Sequence, residues 1–124
     1  MILDLGAEAA EYGRQARRAF EAAGGDDLVR EAKPDNREAL LAPVLTALGA
    51  WELTPRTDAD ALEAAAALCR SAGYWALPYP VAERLARPAD LAVDGLIVIA
   101  STTPEGTIEG LDNAWATVTL AGER

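Results

Sequence analysis

Trp75 and Tyr79 are the residues of this chain best suited to meet a ligand. They stand in the run Tyr74-Trp75-Ala76-Leu77-Pro78-Tyr79-Pro80, where two prolines bar a continuous helix. Together they offer an apolar wall with an indole N–H and a phenolic O–H at its edge. The same composition also suits the closing of a helical core, where such rings bury large apolar areas while their polar ends find partners. The pair is therefore a candidate pocket or interface. No residue is assigned a catalytic, cofactor-binding or metal-binding role.

The remaining chemistry-bearing groups have plainer readings. The sequence has no histidine, so no Ser-His-Asp or Cys-His arrangement and no imidazole-dependent metal site can be built from it. Glu8 and Glu11 stand at i and i+3, close enough to share a metal or a proton, yet acidic residues in a solvated first helical turn have the same spacing. Asp58, Asp60 and Glu63 also read as acids at a helix start. Asp26-Asp27 lacks the glycine and bidentate glutamate of a calcium loop, and neither Gly24-Gly25 nor Pro104-Glu105-Gly106 has the strand, glycine spacing and helix of a phosphate cradle. Cys69 is the single cysteine. On an alanine-rich helix it reads as a small core residue rather than a nucleophile.

Charge narrows the partners. With 20 acidic against 11 basic residues and a net charge of −9, the chain lacks the basic stripe that nucleic acid or an anionic membrane face requires. Arg14, Arg17 and Arg18 follow Glu8 and Glu11 on one helix and are expected to complement its dipole. No run of eighteen apolar residues is present, so no membrane span is expected, and no basic leader precedes an apolar run at Met1. These features lead to an expected cytoplasmic location.

The elements that must position Trp75 and Tyr79 are mostly helical. Leu5 to Ala23 reads as an amphipathic helix with Asp4 at its N-cap and Leu5, Ala9, Tyr12, Ala16, Ala19, Phe20 and Ala23 in an apolar stripe. Gly6 and Gly13 weaken that helix by roughly 1 kcal/mol each relative to alanine, and Gly13 marks a possible close crossing. Asp26 to Lys33 reads as a connection, with one helical turn around Leu28 and Val29 as the alternative. Asp35, with Glu38 three residues on, reads as a capping box opening a second helix, which carries Leu40, Leu41, Val44, Leu45 and Leu48, is kinked or divided at Pro43, and ends at Gly49. Trp51 and Leu53 are expected to fold back onto the core.

A third helix starts at Thr57 or Asp58 and buries Leu62, Ala65, Ala66 and Cys69, with Glu63, Ala67 and Arg70 opposite. Gly73 is expected to supply its left-handed ending. Val81 to Ala86 reads as a short helix opened by Pro80. Beyond Pro88 the pattern turns extended: Leu96 to Ala100 is a β-branched run, and Trp115 to Leu120 alternates like a strand. Residues 1–89 thus form a helical domain, and 90–124 the start of a β domain that two or three strands leave incomplete.

The order of these features resembles the N-terminal part of the flavin-dependent acyl-CoA dehydrogenases, most closely the divergent actinobacterial-type members. The resemblance is carried by LLAPVLTALGAWEL with its Leu48-Gly49, by LEAAAALCRSAGYWALPYPVAERLA with its stretch Gly73 through Pro80, and by the strand-rich DGLIVIAS and WATVTLAGER. It implies a helical N-terminal domain followed by the first strands of a β-barrel middle domain, with FAD as cofactor, an acyl-CoA as substrate and a homo- or hetero-oligomeric assembly. The implied reaction is α,β-dehydrogenation of the thioester. The family's catalytic glutamate and main flavin contacts have no counterpart in these residues, so the chain alone is expected to be inactive. Two other readings remain: a non-catalytic partner subunit of a heteromeric dehydrogenase, and a small helical interaction module. A hairpin packed back from residues 91–124 would mark the last.

Overall fold

The structure, a computed structural model, describes residues 5–99 and 114–120. It is mainly helical, with two short parallel strands at the C-terminal end. The helices are α1 (Ala7–Ala22), α2 (Asp26–Glu31), α3 (Arg37–Ala47), α4 (Ala59–Tyr74) and α5 (Val81–Leu85), with a 3₁₀ turn at Ala50–Glu52. The strands are β1 (Gly95–Ile99) and β2 (Trp115–Thr119). α1 starts at Ala7 with Gly6 as its N-cap, two residues later than the expected start at Leu5 after an Asp4 cap; Asp4 itself and the turn-rich stretch Ser101 to Gly110 lie outside the described residues.

Alanine-rich α4 is the centre of the helical part because short side chains let neighbours approach on more than one side. One side meets α1, where Ala67 and Ser71 are buried. A second side joins the main core, in which Leu68 lies with Phe20, Leu41 and Leu45, all fully buried. The third side, carrying Leu62 and Ala66, is open, and Leu62 is 56% exposed. This corrects the expected face: Ala67, placed on the outer side by apolar periodicity, is buried, whereas Leu62 and Ala66 are not. In so uniform a helix, periodicity cannot distinguish the side that packs from the one that does not.

Local signals held unevenly. Asp58 caps α4 by accepting from the Asp60 N–H at 3.0 Å, which satisfies one of the free donors of the first turn. The expected capping box at Asp35 and Glu38 does not form. Asn36 takes the N-cap position, its Oδ1 accepting from the Lys33 N–H and its Nδ2 donating to the Glu31 carbonyl, while the Glu38 carboxylate is engaged by Tyr79. Asp26 to Glu31 is a helix rather than a plain connection, held by burial of Leu28. Pro43 does not divide α3. Pro43 and Ala39, whose carbonyl loses its partner at the proline, are both exposed, so water can serve that carbonyl.

The end of α4 also differs from expectation. The helix runs through Gly73 to Tyr74, and the left-handed residue is Ala76, at φ 53°. The Leu77 N–H donates to the Ala72 carbonyl and the Ala76 N–H to the Gly73 carbonyl, the bonding of a Schellman ending with alanine where glycine is usual. Likewise, Arg14 and Arg18 serve side-chain pairing more than the helix dipole. Both bond Glu11, and neither lies in the last turn of α1.

β1 and β2 pair in parallel, with Gly95 opposite Trp115 and Ile99 opposite Thr119. Two strands so related cannot be a hairpin, because a two-residue turn joins only antiparallel neighbours. The indole of Trp115 lies over Gly95, where a Cβ would come within 2.2 Å of the ring, so only glycine fits that register. α5 packs beside β1, and the passage from helix to strand falls between Leu85 and Gly95.

Candidate functional site

The Schellman ending of α4 sends Trp75 and Tyr79 to different neighbours. Trp75 turns toward the α1–α2 junction. Its Nε1 donates to the Arg17 carbonyl at 3.2 Å, and its ring lies against Gly25, where a Cβ would stand 3.1 Å from a ring carbon. Gly25 also has φ 55°, so both backbone conformation and space require glycine there. Tyr74 meets Trp75 edge to face at 5.4 Å between centroids, and the Arg17 guanidinium sits 4.1 Å above the Tyr74 ring. Trp75 thereby fastens the end of α4 to the two N-terminal helices.

Tyr79 turns the other way, into a polar cluster between α3, the 3₁₀ turn and α5. Its hydroxyl donates to Glu38 Oε2 at 2.8 Å and accepts from Arg84 Nη1. Arg84 Nη1 is also 3.6 Å from Glu38 Oε1. The same guanidinium stacks 4.0 Å over the Trp51 ring, and Trp51 and Tyr79 lie 6.2 Å apart. Arg87 completes the cluster by donating to the Trp51 carbonyl at 2.9 Å. Nothing local in the sequence joins Glu38, Trp51 and Arg84 to Tyr79. Glu38 looked like a helix cap, and Arg84 lies five residues past Tyr79 across a proline turn.

Burial is the main cause that pushes the Tyr79 hydroxyl up to about 12, with the Glu38 carboxylate adding to it and Arg84 opposing it. A phenol so placed stays protonated and is no base near neutral pH. Its proton is held by Glu38 and its lone pair by Arg84. The cluster therefore balances charge and fixes three elements together, with no free polar group directed at a reacting atom.

Cys69 is half-buried, and burial, followed by the negative charge of Glu83, pushes its thiol above the ordinary value of 9.0. That environment suppresses the thiolate rather than activating it. The acids at the helix starts likewise remain apart: among the described residues no three His, Cys, Asp or Glu side chains are gathered as a metal site. Glu63 accepts from the Gly6 N–H at 3.3 Å, and Glu11 is occupied by Arg14 and Arg18.

The concave surfaces are shallow. An apolar groove of about 320 Å³ runs between α4 and α5, lined by Leu62, Ala66, Cys69, Ala82 and Ala86, with Arg56 at one end. It continues past Cys69 and Ala82 into a hollow of about 200 Å³ beside Gly73 and Ala76. This groove does not fit a flavin dinucleotide. Its pyrophosphate needs directed donors, and Arg56, the cation lining this groove, instead donates to the Ala86 and Arg87 carbonyls at the end of α5. No helix among the described residues is long and apolar enough to cross a membrane.

Compared with known proteins, the chain matches no family model, no curated protein and no solved structure.

Proposed function

We propose that this chain is the N-terminal helical part of an FAD-dependent acyl-CoA dehydrogenase, in which it helps wall the acyl pocket and form the oligomer without supplying the base or the flavin contacts. The observation that carries this reading is the order of elements: a helical layer closed by α4, the Tyr74–Pro80 crossing, a short helix and then extended strands. That is the sequence of parts the family resemblance implies. In this reading Trp75 and Tyr79 brace the handover from helices to sheet rather than contact the thioester.

A second reading, as a non-catalytic partner or helical interaction module, is favoured by one feature. The polar atoms of both candidate aromatics are bonded internally, leaving neither with a group directed at substrate. One experiment separates the two. The 124-residue chain is purified alone and within its full reading frame, and each sample is tested for flavin absorbance and acyl-CoA-dependent reduction of an artificial electron acceptor. The dehydrogenase reading expects a colourless, inactive chain alone and a yellow, active product from the longer frame. A frame without flavin or activity sinks that reading in favour of the second, and flavin oxidation chemistry in the short chain alone contradicts both.

A further inference from the structure

We infer that the open side of α4 is a self-association surface, on which a second copy of this chain packs its own α4 antiparallel into the α4–α5 groove. The inference is independent of the dehydrogenase reading. It starts from an imbalance in α4, whose other two sides are covered by α1 and the core while Leu62, Ala66 and Gly73 line up exposed on the third. An apolar groove follows this side along α5.

The surface is self-complementary about a two-fold axis. A two-fold interface requires that residue i meet j while j meets i. At one end stands a knob, Leu62, 56% exposed. At the other lies the hollow beside Gly73 and Ala76, and a Cβ built on Gly73 would meet nothing within 4 Å. Setting Leu62 of one copy opposite Gly73 of the other fixes the register, and the same register brings Ala66 opposite Cys69. Small residues through the middle allow the close approach that interlocking helices need.

Charge agrees with this register. On one flank of the open side Glu63 stands near the start of α4 and Arg70 near its end, both exposed. In an antiparallel pair the same flanks meet, so Glu63 of each copy faces Arg70 of the other. A parallel two-fold pair would instead bring opposite flanks together and lose this pairing. The net charge of −9 on each copy opposes association at low salt, so added salt strengthens the dimer until the flanking ion pairs are themselves screened. One helix pair with its groove is small for an interface, which puts the association in the weak, transient class.

The test is sedimentation equilibrium of the 124-residue chain up to roughly millimolar concentration, at low and moderate salt, since an interface of the weak class is filled only there. A dimer is expected, weakened at least about tenfold by Leu62→Glu, which buries an unpaired charge at the contact. Gly73→Gln fills the hollow and should weaken the dimer similarly, while raising the thermal stability of the monomer because glutamine is the better helix former. That opposite pair of effects excludes unfolding as the cause. Ala66→Cys, oxidised gently, should cross-link to Cys69 of the second copy, whereas Gln15→Cys on α1 should not. A monomer throughout the concentration range, or a dimer that either Leu62→Glu or Gly73→Gln leaves unchanged, overturns the proposal.

Discussion

Ser71 and Gly13, 58 residues apart in sequence, meet where α4 crosses α1: the serine Oγ donates to the glycine carbonyl at 2.6 Å. A side chain at Gly13 would lie 3.3 Å from the Ala67 Cβ, so the crossing is close because position 13 has none. Tyr12, beside it, donates its hydroxyl to the Leu48 carbonyl at 2.9 Å. The first helix is thereby tied to the ends of both α3 and α4, and the weakening effect of Gly13 is offset by tertiary contacts rather than by helix propensity, while Gly6 stands at the N-cap outside the helix.

Two glycine replacements should separate packing from propensity. Gly73→Ala, in open space on α4, should stabilise the fold by about 1 kcal/mol. Gly13→Ala gains the same propensity but tightens the crossing, so its net effect should lie within about 0.5 kcal/mol of zero. Gly13→Leu should cost about 2 kcal/mol or more through overpacking, and Ser71→Ala about 1 kcal/mol for the lost hydrogen bond. Urea unfolding followed by circular dichroism measures all four, and equal gains from Gly13→Ala and Gly73→Ala would show the crossing to be loose.

Ala76 carries the left-handed residue of the α4 ending, a conformation that costs an L-residue about 1 kcal/mol or more. Ala76→Gly should accordingly raise the unfolding free energy by about 1 kcal/mol despite the added freedom of the unfolded chain. Loss of stability in thermal unfolding of this variant would contradict the assigned backbone geometry.

The Tyr79 hydroxyl gives the fold a specific alkaline sensitivity. Its folded value of about 12 stands above the ordinary 10.0, so the unfolded state releases the proton first. The stabilisation is fully present below pH 10 and is lost as pH rises from 10 toward 12. Tyr79→Phe should cost about 1 kcal/mol at neutral pH, since half-exposed Glu38 can turn to water, and should shallow the alkaline fall in stability. Part of the fall should persist, because burial also raises the Tyr12 hydroxyl. Stability measured against pH for both proteins tests this, and identical alkaline slopes would rule out the assignment.

Cys69 should react slowly with iodoacetamide near pH 8, several-fold below a free cysteine, because burial and then Glu83 disfavour its thiolate. Glu83→Gln should speed alkylation modestly, leaving burial as the larger barrier. A rate equal to that of a small thiol would mean that Cys69 is not held as described.

The Glu11 carboxyl lies below its ordinary 4.5, first through its hydrogen bond from Arg14 and then through that from Arg18. Titration followed by nuclear magnetic resonance should show this depression, and Arg14→Ala with Arg18→Ala should restore the ordinary value. The pair is exposed, so the double substitution should change stability little.

What the sequence alone determined was set by local chemistry. The helical character of most of the chain, the cap at Asp58, the glycine stop after α1, the fold-back of Trp51 and both strand positions followed from caps, breakers and periodicity acting over a few residues. The close crossing at Gly13 was also foreshadowed, since a glycine within an amphipathic helix often marks near approach. Tertiary structure decided everything that depended on partners distant in sequence. It chose which sides of an alanine-rich helix are buried, because α1 selected Ala67 and Ser71 while Leu62 was left open. It drew Glu38 away from a local capping box toward Tyr79, and it placed the left-handed residue at Ala76 rather than Gly73. It also separated Trp75 from Tyr79, neighbours in a short run, by sending one to α1 and the other to α3. The physical reason is common to these cases: several local arrangements of comparable energy were available, and burial against residues far along the chain selected among them.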